Sequence, residues 1–533
     1  MLVALAMFLG ASVGRAIALT AASSSAVPPK VATPAIAPKT TRPARVLLIG
    51  DSILDQQGSA AAFVLRQAGV DARAVGVWGS GLLTVDQYDD GKTKLSGFWL
   101  HKATKLISNF DPDVVGVYLN HNYLAPFPHD AAGHVITDLW SPAGQLMIAQ
   151  QARALITILR ARRAKVFFIS PVPAGAISNP DPNVWDPIWH GYLPVLRSMH
   201  VAVADTAGPL EAANGLRAET KPSCTGTPQR IRLAGNVHLT RFGAGLAGTA
   251  LADYVASVVH ANLRGNVAPG DTTAALVSTA DGRGYWLVGC DGSVYHFGDA
   301  THLAGARVAI AGHHGVVAAV STPTGAGLWL IAADGTIATV GDASPMSFTS
   351  RSSAPIVDAT ALPDGNGLLA TTASGIVLHA GAARPYGELS HDGLHAEVVA
   401  ISATRDGYRL VEIDGSVVVF DKGHRYTSAA PLKTLNGAIV ALAATRDNRG
   451  YWLVGSDGGV FTFGDARFDG TGTWHPPAYP YSAVIATPGP TIGIVATPGP
   501  EQGYWIFGTT GRVTARGAAS YYGGDNNLAL FTQ

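Results

Sequence analysis

The sequence predicts two folded regions of different class. Residues 44–263 read as a three-layer α/β domain on a parallel sheet, and residues 270–533 as an all-β domain of repeated units. Three observations carry this reading. In the first region short aliphatic runs alternate with helical patterns, as in a parallel sheet covered on both faces. In the second, hairpin signals recur at intervals of roughly 40 residues, a spacing typical of multi-stranded repeats. The whole chain has 533 residues, too many for one ordinary core.

The N-terminus is apolar from Leu2 to Gly14 and is interrupted at Arg15. That stretch suits a secretory h-region and falls short of the roughly 20 residues of a membrane span. No basic segment precedes it, and Ala16, Ala18, Ala21 and Ala22 offer small residues for cleavage. Residues 1–22 therefore read as a signal peptide or N-terminal anchor. Residues 23–43, rich in Ala, Pro, Ser, Thr and Lys, read as a linker. The expected location is secreted or cell-surface.

Composition narrows the partners. Formal net charge is zero and only 14% of residues are charged, which argues against nucleic acid or an anionic membrane. Nothing in the composition calls for an oligomer. Abundant glycine and 47% apolar residues favour folded, turn-rich structure over disorder. Cys224 and Cys290 fall in different predicted domains, so they form no disulfide framework or CxxC metal site; a single bridge between them is possible but is not the favoured reading.

In the first region, Val46–Ile49 is four aliphatics in a row, a strand buried on both faces. It breaks at Gly50 and presents Ser52, ahead of a helical segment from Ser59 to Ala68 that Gly69 closes. Ala72–Val77 follows, then Gly79-Ser80-Gly81. Asp113–Leu119 is a further strand, ending in Asn120-His121-Asn122. Pro142 to Arg163 is an amphipathic helix, Lys165–Ile169 and Val201–Ala204 are strands, and Arg241 to Leu263 is a terminal helix. Two long loops, 123–141 and 174–190, carry Phe127, Trp140, Trp185 and Trp189. These rings could wall an acyl or aryl pocket or could simply pack the loops down.

Ser52 lies at the carboxyl end of its strand, where open α/β sheets bind ligands. Helix N–H groups there can stabilise an oxyanion. A serine hydroxyl needs a base to take its proton, usually histidine. The candidate is His238, in Gly235-Asn236-Val237-His238-Leu239-Thr240, immediately before the terminal helix.

With these residues in view, the region resembles the SGNH (GDSL) hydrolase family. Gly50-Asp51-Ser52-Ile53 matches the first block, with Ser52 as nucleophile. Gly79, in Trp78-Gly79-Ser80-Gly81, matches the second block, whose glycine N–H joins the oxyanion hole. After a strand opened by Pro112-Asp113, Asn122 falls on the oxyanion asparagine of the third block, and Asn120 is the alternative one pleat period away. His238 matches the histidine of the fifth block, and Leu239-Thr240 and Gly243 follow it in the family manner. The resemblance covers residues 44–263 and implies a flavodoxin-like sheet, ester substrates and no metal or other cofactor. Two departures stand out. The third block lacks its glycine and aspartate. Gly235 occupies the place of the aspartate that normally precedes the histidine by three residues. That acid would hold the imidazole tautomer and stabilise the imidazolium; here a backbone carbonyl or another carboxylate must do so. His121, His129 and His134 lie close in sequence, but no acidic or cysteine pattern organises them as a metal site.

The second region repeats. Gly284-Tyr285-Trp286-Leu287-Val288, Asp291-Gly292-Ser293 and Phe297-Gly298-Asp299-Ala300 return as Gly450-Tyr451-Trp452-Leu453-Val454, Asp457-Gly458-Gly459 and Phe463-Gly464-Asp465-Ala466. Weaker copies follow Leu328-Trp329-Leu330, Leu368-Leu369-Ala370, Tyr408-Arg409-Leu410 and Tyr504-Trp505-Ile506. Turn glycines are expected at Gly292, Gly335, Gly375, Gly415, Gly458 and Gly511. The last interval is stretched by Ala486-Thr487-Pro488-Gly489-Pro490, which recurs at 496–500. Six units imply a six-bladed propeller; a seventh blade could be assembled from Asp271–Ser278 and the tail after Gly524, and a linear β-solenoid is the alternative. The Gly-Asp-Ala motif reads as a turn rather than a calcium loop. The Tyr-Trp pairs read as packing between blades, with glycan binding as the minority reading. The unit also resembles Trp-Leu-Val/Asp-Gly-Gly/Phe-Gly-Asp-Ala repeats attached to exported bacterial wall enzymes and esterases, which implies attachment to a surface or cell-wall polymer.

The sequence thus leads to an exported serine esterase acting on a lipid, acetylated glycan or other small-molecule ester. The alternatives are an acyltransferase using the same site and a non-catalytic binding protein that has lost the triad acid. Independent domains would let a chain cut after residue 265 keep small-ester hydrolysis.

Overall fold

The computed structural model describes residues 42–84, 97–120, 136–172, 181–182, 186–212, 217–233, 238–270, 272–389, 393–422, 424–472 and 490–524. The leader and nearly all of the linker lie outside these, as do Asn122, Phe127, Trp185, Gly235, residues 486–489 and the tail beyond Gly524. Residues 43–533 form one compact unit.

The α/β region is a five-stranded sheet of β1 (Arg45–Gly50), β2 (Asp71–Gly76), β3 (Val114–Tyr118), β4 (Lys165–Ile169) and β5 (Ala202–Ala204). All pairings are parallel and the order is β2-β1-β3-β4-β5. Strand order therefore reverses at β1, the switch point where sheets of this kind open a crevice. Successive β1 side chains point to opposite faces and found two cores. Val46 and Leu48 pack with α1 (Ser52–Gln67) and the terminal helix on one side. Leu47 and Ile49 pack with α2 (Phe98–Phe110), α3 (Pro142–Arg160) and α4 (Pro187–Ser198) on the other. The terminal helix, α5, runs Arg241–Val259.

Four elements differ from the sequence reading, α2 among them, since no helix was expected between Gly81 and Asp113. The first helix begins at Ser52 rather than Ser59, because the Asp51 carboxylate accepts from the Ile53 and Leu54 N–H groups and caps it there. α4 replaces the end of the second loop; Asp186 caps it and Pro187 occupies its first turn. Trp189 accordingly lies in the sheet core, 5% exposed. A small hairpin, β6 (Thr220–Pro222) and β7 (Pro228–Arg230), precedes α5.

The repeat region is six small antiparallel sheets among the described residues. The first holds β8 (Thr273–Ser278), β9 (Gly284–Gly289) and β10 (Val294–Gly298). The second holds β11 (Val316–Ser321), β12 (Gly327–Ala332) and β13 (Ile337–Gly341). The third holds β14 (Ile356–Ala361), β15 (Gly367–Thr372) and β16 (Val377–Gly381). The fourth adds a strand: β17 (Val398–Ala403), β18 (Gly407–Glu412), β19 (Val417–Asp421) and β20 (His424–Ala429). The fifth holds β21 (Ile439–Ala444), β22 (Tyr451–Gly455) and β23 (Val460–Phe463), and the sixth β24 (Thr491–Ala496), β25 (Gly503–Gly508) and β26 (Val513–Gly517). All six expected turn glycines have positive φ, which a hairpin of this kind demands. β8 belongs to the first sheet, so it is not available to a seventh.

The first strand of each sheet lies beside that of the next, and β24 lies beside β8. Tryptophans fill the spaces between sheets: Trp286 packs with Val316 and Leu328 of the second sheet, and Trp505 of the last with Leu276 and Tyr285 of the first. Each indole donates to a carbonyl fifteen residues on, Trp286 to Thr301 and Trp505 to Ser520 at 2.8 Å. The Gly-Asp-Ala aspartates accept from threonine hydroxyls, Thr322 to Asp342 at 2.8 Å and Thr445 to Asp465 at 3.2 Å, so the motif ties a strand end to a turn.

Two findings join the regions. Cys224, in the β6–β7 turn, is bridged to Cys290 with their Cα atoms 5.9 Å apart. The sequence left this pairing open, because the two cysteines fall on either side of the expected domain boundary. Phe63 of α1 packs in one core with Tyr285, Tyr295 and Trp505. Beside it, the Gln67 carboxamide pairs with both backbone groups of His296, at 2.9 and 3.1 Å.

Candidate active site

Strand β1 ends where a side chain cannot fit: a Cβ on Gly50 would meet the Tyr118 carbonyl oxygen at 2.1 Å. The backbone turns there, and Ser52 becomes the first residue of α1. N–H groups in a first helical turn lack intrahelical acceptors and carry the positive end of the helix dipole. Beneath the serine, Asp51 is 4% exposed, and burial holds its carboxyl well above the usual range.

His238 is delivered by a long-range fold-back. Leu233 N–H donates to the His238 carbonyl, Thr240 N–H donates to that of Ile231, and Thr240 then caps α5. His238 Nε2 lies 2.9 Å from Ser52 Oγ, across 186 residues of sequence. Burial pushes the imidazole below its ordinary pKa, favouring the neutral form a general base requires.

Gln56 sets this placement. Its Nε2 donates to the Leu239 carbonyl at 3.1 Å and its Oε1 accepts from Leu239 N–H at 2.9 Å, so the helix carrying the serine grips the residue after the base. Trp78 supplies a second contact. Its indole stacks on the His238 ring with centroids 4.5 Å apart and planes 17° apart, and Nε1 donates to Asp55 at 3.0 Å. Burial pushes the Asp55 carboxyl up to about 7, a rise that the indole hydrogen bond opposes. Asp55 and Gln56 stand three and four positions beyond Ser52, on the same helical face. Starting the helix at Ser59 hid that relationship from sequence reasoning.

The remaining expected residues divide. Gly79 lies in the turn directly after β2, with φ +70°, and Val77 N–H donates to the Gly50 carbonyl, which brings this turn beside the end of β1. Asn122 lies outside the described residues, as do Gly235, His121, His129 and His134. Asn120, the alternative, is 1% exposed; its Nδ2 is turned to the Ile169 carbonyl at 3.5 Å, and its backbone N–H supports Asp51.

No protein-family model matches the chain, and a search of the curated proteins finds no match.

Proposed function

We propose that the chain is an exported serine esterase of SGNH type carried on a six-bladed β-propeller. The contact of 2.9 Å between Ser52 Oγ and His238 Nε2 carries this reading. Ser52 Oγ attacks the ester carbonyl carbon as its proton passes to His238 Nε2. The alcohol leaves with that proton. Water then attacks the acyl-serine, His238 takes the water's proton, and Ser52 is released reprotonated. The Ser52 and Gly79 N–H groups and the Asn122 amide are the proposed oxyanion donors; removing one such donor typically slows turnover by about 100-fold or more.

The propeller reading draws on a repeated tie. Tyr408 OH accepts from Tyr386 and Gly387 N–H, behind the sheet that precedes it, and Tyr504 OH accepts from Asp469 N–H in the same way. Tyr285 of the first sheet accepts from Tyr522 and Gly523 N–H, behind the last. The first sheet therefore holds the last as each of these sheets holds its predecessor, which is how a ring closes. The Cys224–Cys290 bridge suits an oxidising compartment and so favours export.

A fluorophosphonate probe tests the enzyme. The full chain is expected to be labelled, to lose labelling in Ser52→Ala, and to hydrolyse short-chain p-nitrophenyl esters. An intact fold with neither labelling nor turnover would leave a binding protein; acyl transfer to an added alcohol in preference to water would make it a transferase.

A further inference from the structure

The site contains a carboxylate, an indole and an imidazole in series, joined by a hydrogen bond and a ring stack. The first member lies one turn beyond the serine, on the same helix. The second is the residue immediately before Gly79. Its packing is shared with the sheets, because Trp78 lies against the cluster of Phe63, Tyr285 and Trp505. The indole is thus held from two directions, by a carboxylate at its N–H and by apolar side chains.

We infer that Asp55 and Trp78 are a positioning pair for His238: the carboxylate fixes the indole, and the indole face holds the imidazole toward Ser52 and shares the positive charge it gains with the serine proton. This deepens the esterase reading above and rests on it. A ring face presented to an imidazolium acts as a cation–π partner, and more strongly where water is excluded. Drawing electron density from Asp55 through the Nε1–H makes that face a better partner. The chemistry is the one a triad acid performs, orientation and charge support, supplied here from the side of the ring. The carboxyl group that contacts this cluster is Asp55, at the indole N–H; Asp51 caps the same helix one residue before Ser52.

The test uses the full-length protein and three variants. Trp78→Leu keeps apolar cover and removes the ring face; Trp78→Phe keeps a face; Asp55→Asn keeps an acceptor for the indole and removes the charge. Fluorophosphonate labelling of the unmodified protein comes first and decides the esterase reading by itself. The His238 imidazole is then titrated by NMR, identified by the signal lost in His238→Gln, so the measurement stands whatever the labelling shows. Trp78→Leu is expected to titrate about half a pH unit below Trp78→Phe and to lose about tenfold in kcat with little change in KM. Trp78→Phe should recover most of that loss, and Asp55→Asn should fall between the two in kcat at about pH 8, where the Asp55 carboxyl of the unmodified protein is ionised. The proposal is overturned if the Leu and Phe variants, both folded by circular dichroism, titrate and turn over alike. It is also overturned if Trp78→Leu raises KM while leaving kcat unchanged, because the indole would then be a substrate contact.

Discussion

The Gln56 carboxamide pairs with both backbone groups of Leu239, making the same two hydrogen bonds that a neighbouring strand would make. Leu239 is fully buried, so neither of its backbone groups has water as a substitute. Gln56→Leu keeps the volume and removes both bonds. Orphaning buried groups of this kind destabilises by about 1–3 kcal/mol each. Freeing the segment next to His238 is expected to lower kcat by about 10- to 100-fold. Comparing kcat with urea unfolding separates the two effects: a variant that loses stability but retains full kcat would show that Gln56 supports the fold and not the base.

Burial lowers the His238 pKa, and a general base must be neutral, so the sign of the pH effect follows. The acid limb of kcat/KM should lie below the ordinary imidazole value of about 6.5. Measured on p-nitrophenyl acetate, the protein should keep more than half of its maximal kcat/KM at about pH 6.5. A midpoint above that value would mean that stabilisation of the imidazolium by its neighbours outweighs burial.

Local patterns in the sequence carried most of the fold. Lys165–Ile169 is a strand at the bounds its aliphatic run suggests, and the hairpin glycines fall where the repeat places them. α2 was hidden because its N-cap, Gly97, makes no side-chain hydrogen bond and offers no start signal. α4 was hidden because Pro187 and Pro194 read as loop residues, although an aspartate before a proline is a fair helix opening. Of the site, the Ser52 and His238 positions were legible because each lies at an element boundary. The grips of Gln56 and Trp78 were not, because they depend on register between segments that are distant in sequence. The Cys224–Cys290 pairing stayed open for the same reason: it depends on how two regions pack.

That packing changes the expectation for truncation. Cutting after residue 265 would uncover Phe63, which is 5% exposed, and strip Gln67 of both its partners. Exposing a phenylalanine loses about 2–3 kcal/mol of burial. The cut also leaves Cys224 without Cys290 and removes the apolar support of Trp78. The shortened chain is expected to aggregate or melt well below the full protein, and any folded fraction should show reduced esterase activity. Full activity with unchanged melting of the α/β region would show that the contacts between the regions are dispensable.

Asp358 gives the repeat region a pH dependence of its own. It lies on β14 and accepts from Ile401 N–H of β17 at 2.9 Å and from Ala359 N–H at 2.8 Å, bridging the third and fourth sheets. Part of the residue reaches solvent, but the carboxyl group is enclosed, and burial pushes its pKa up to about 7. The unfolded chain releases this proton near the ordinary value of about 3.9. Between those two values the folded protein binds the extra proton, so stability is greatest at the acid end of the window and falls as pH rises. The slope for one such proton is at most about 1.4 kcal/mol per pH unit, and solvent contact reduces it. Asp358→Asn carries no proton and loses that part of the slope, although it can accept only one of the two N–H groups well. Asp55 titrates in the same direction, so the informative quantity is the difference between the two proteins. Thermal unfolding at several pH values from about 4.5 to 8 should show the gap narrowing as pH rises, if the ionised carboxylate is the poorer tenant of this site. Curves that stay parallel across the range would mean that Asp358 is ionised throughout and that its two N–H donors fully offset its burial.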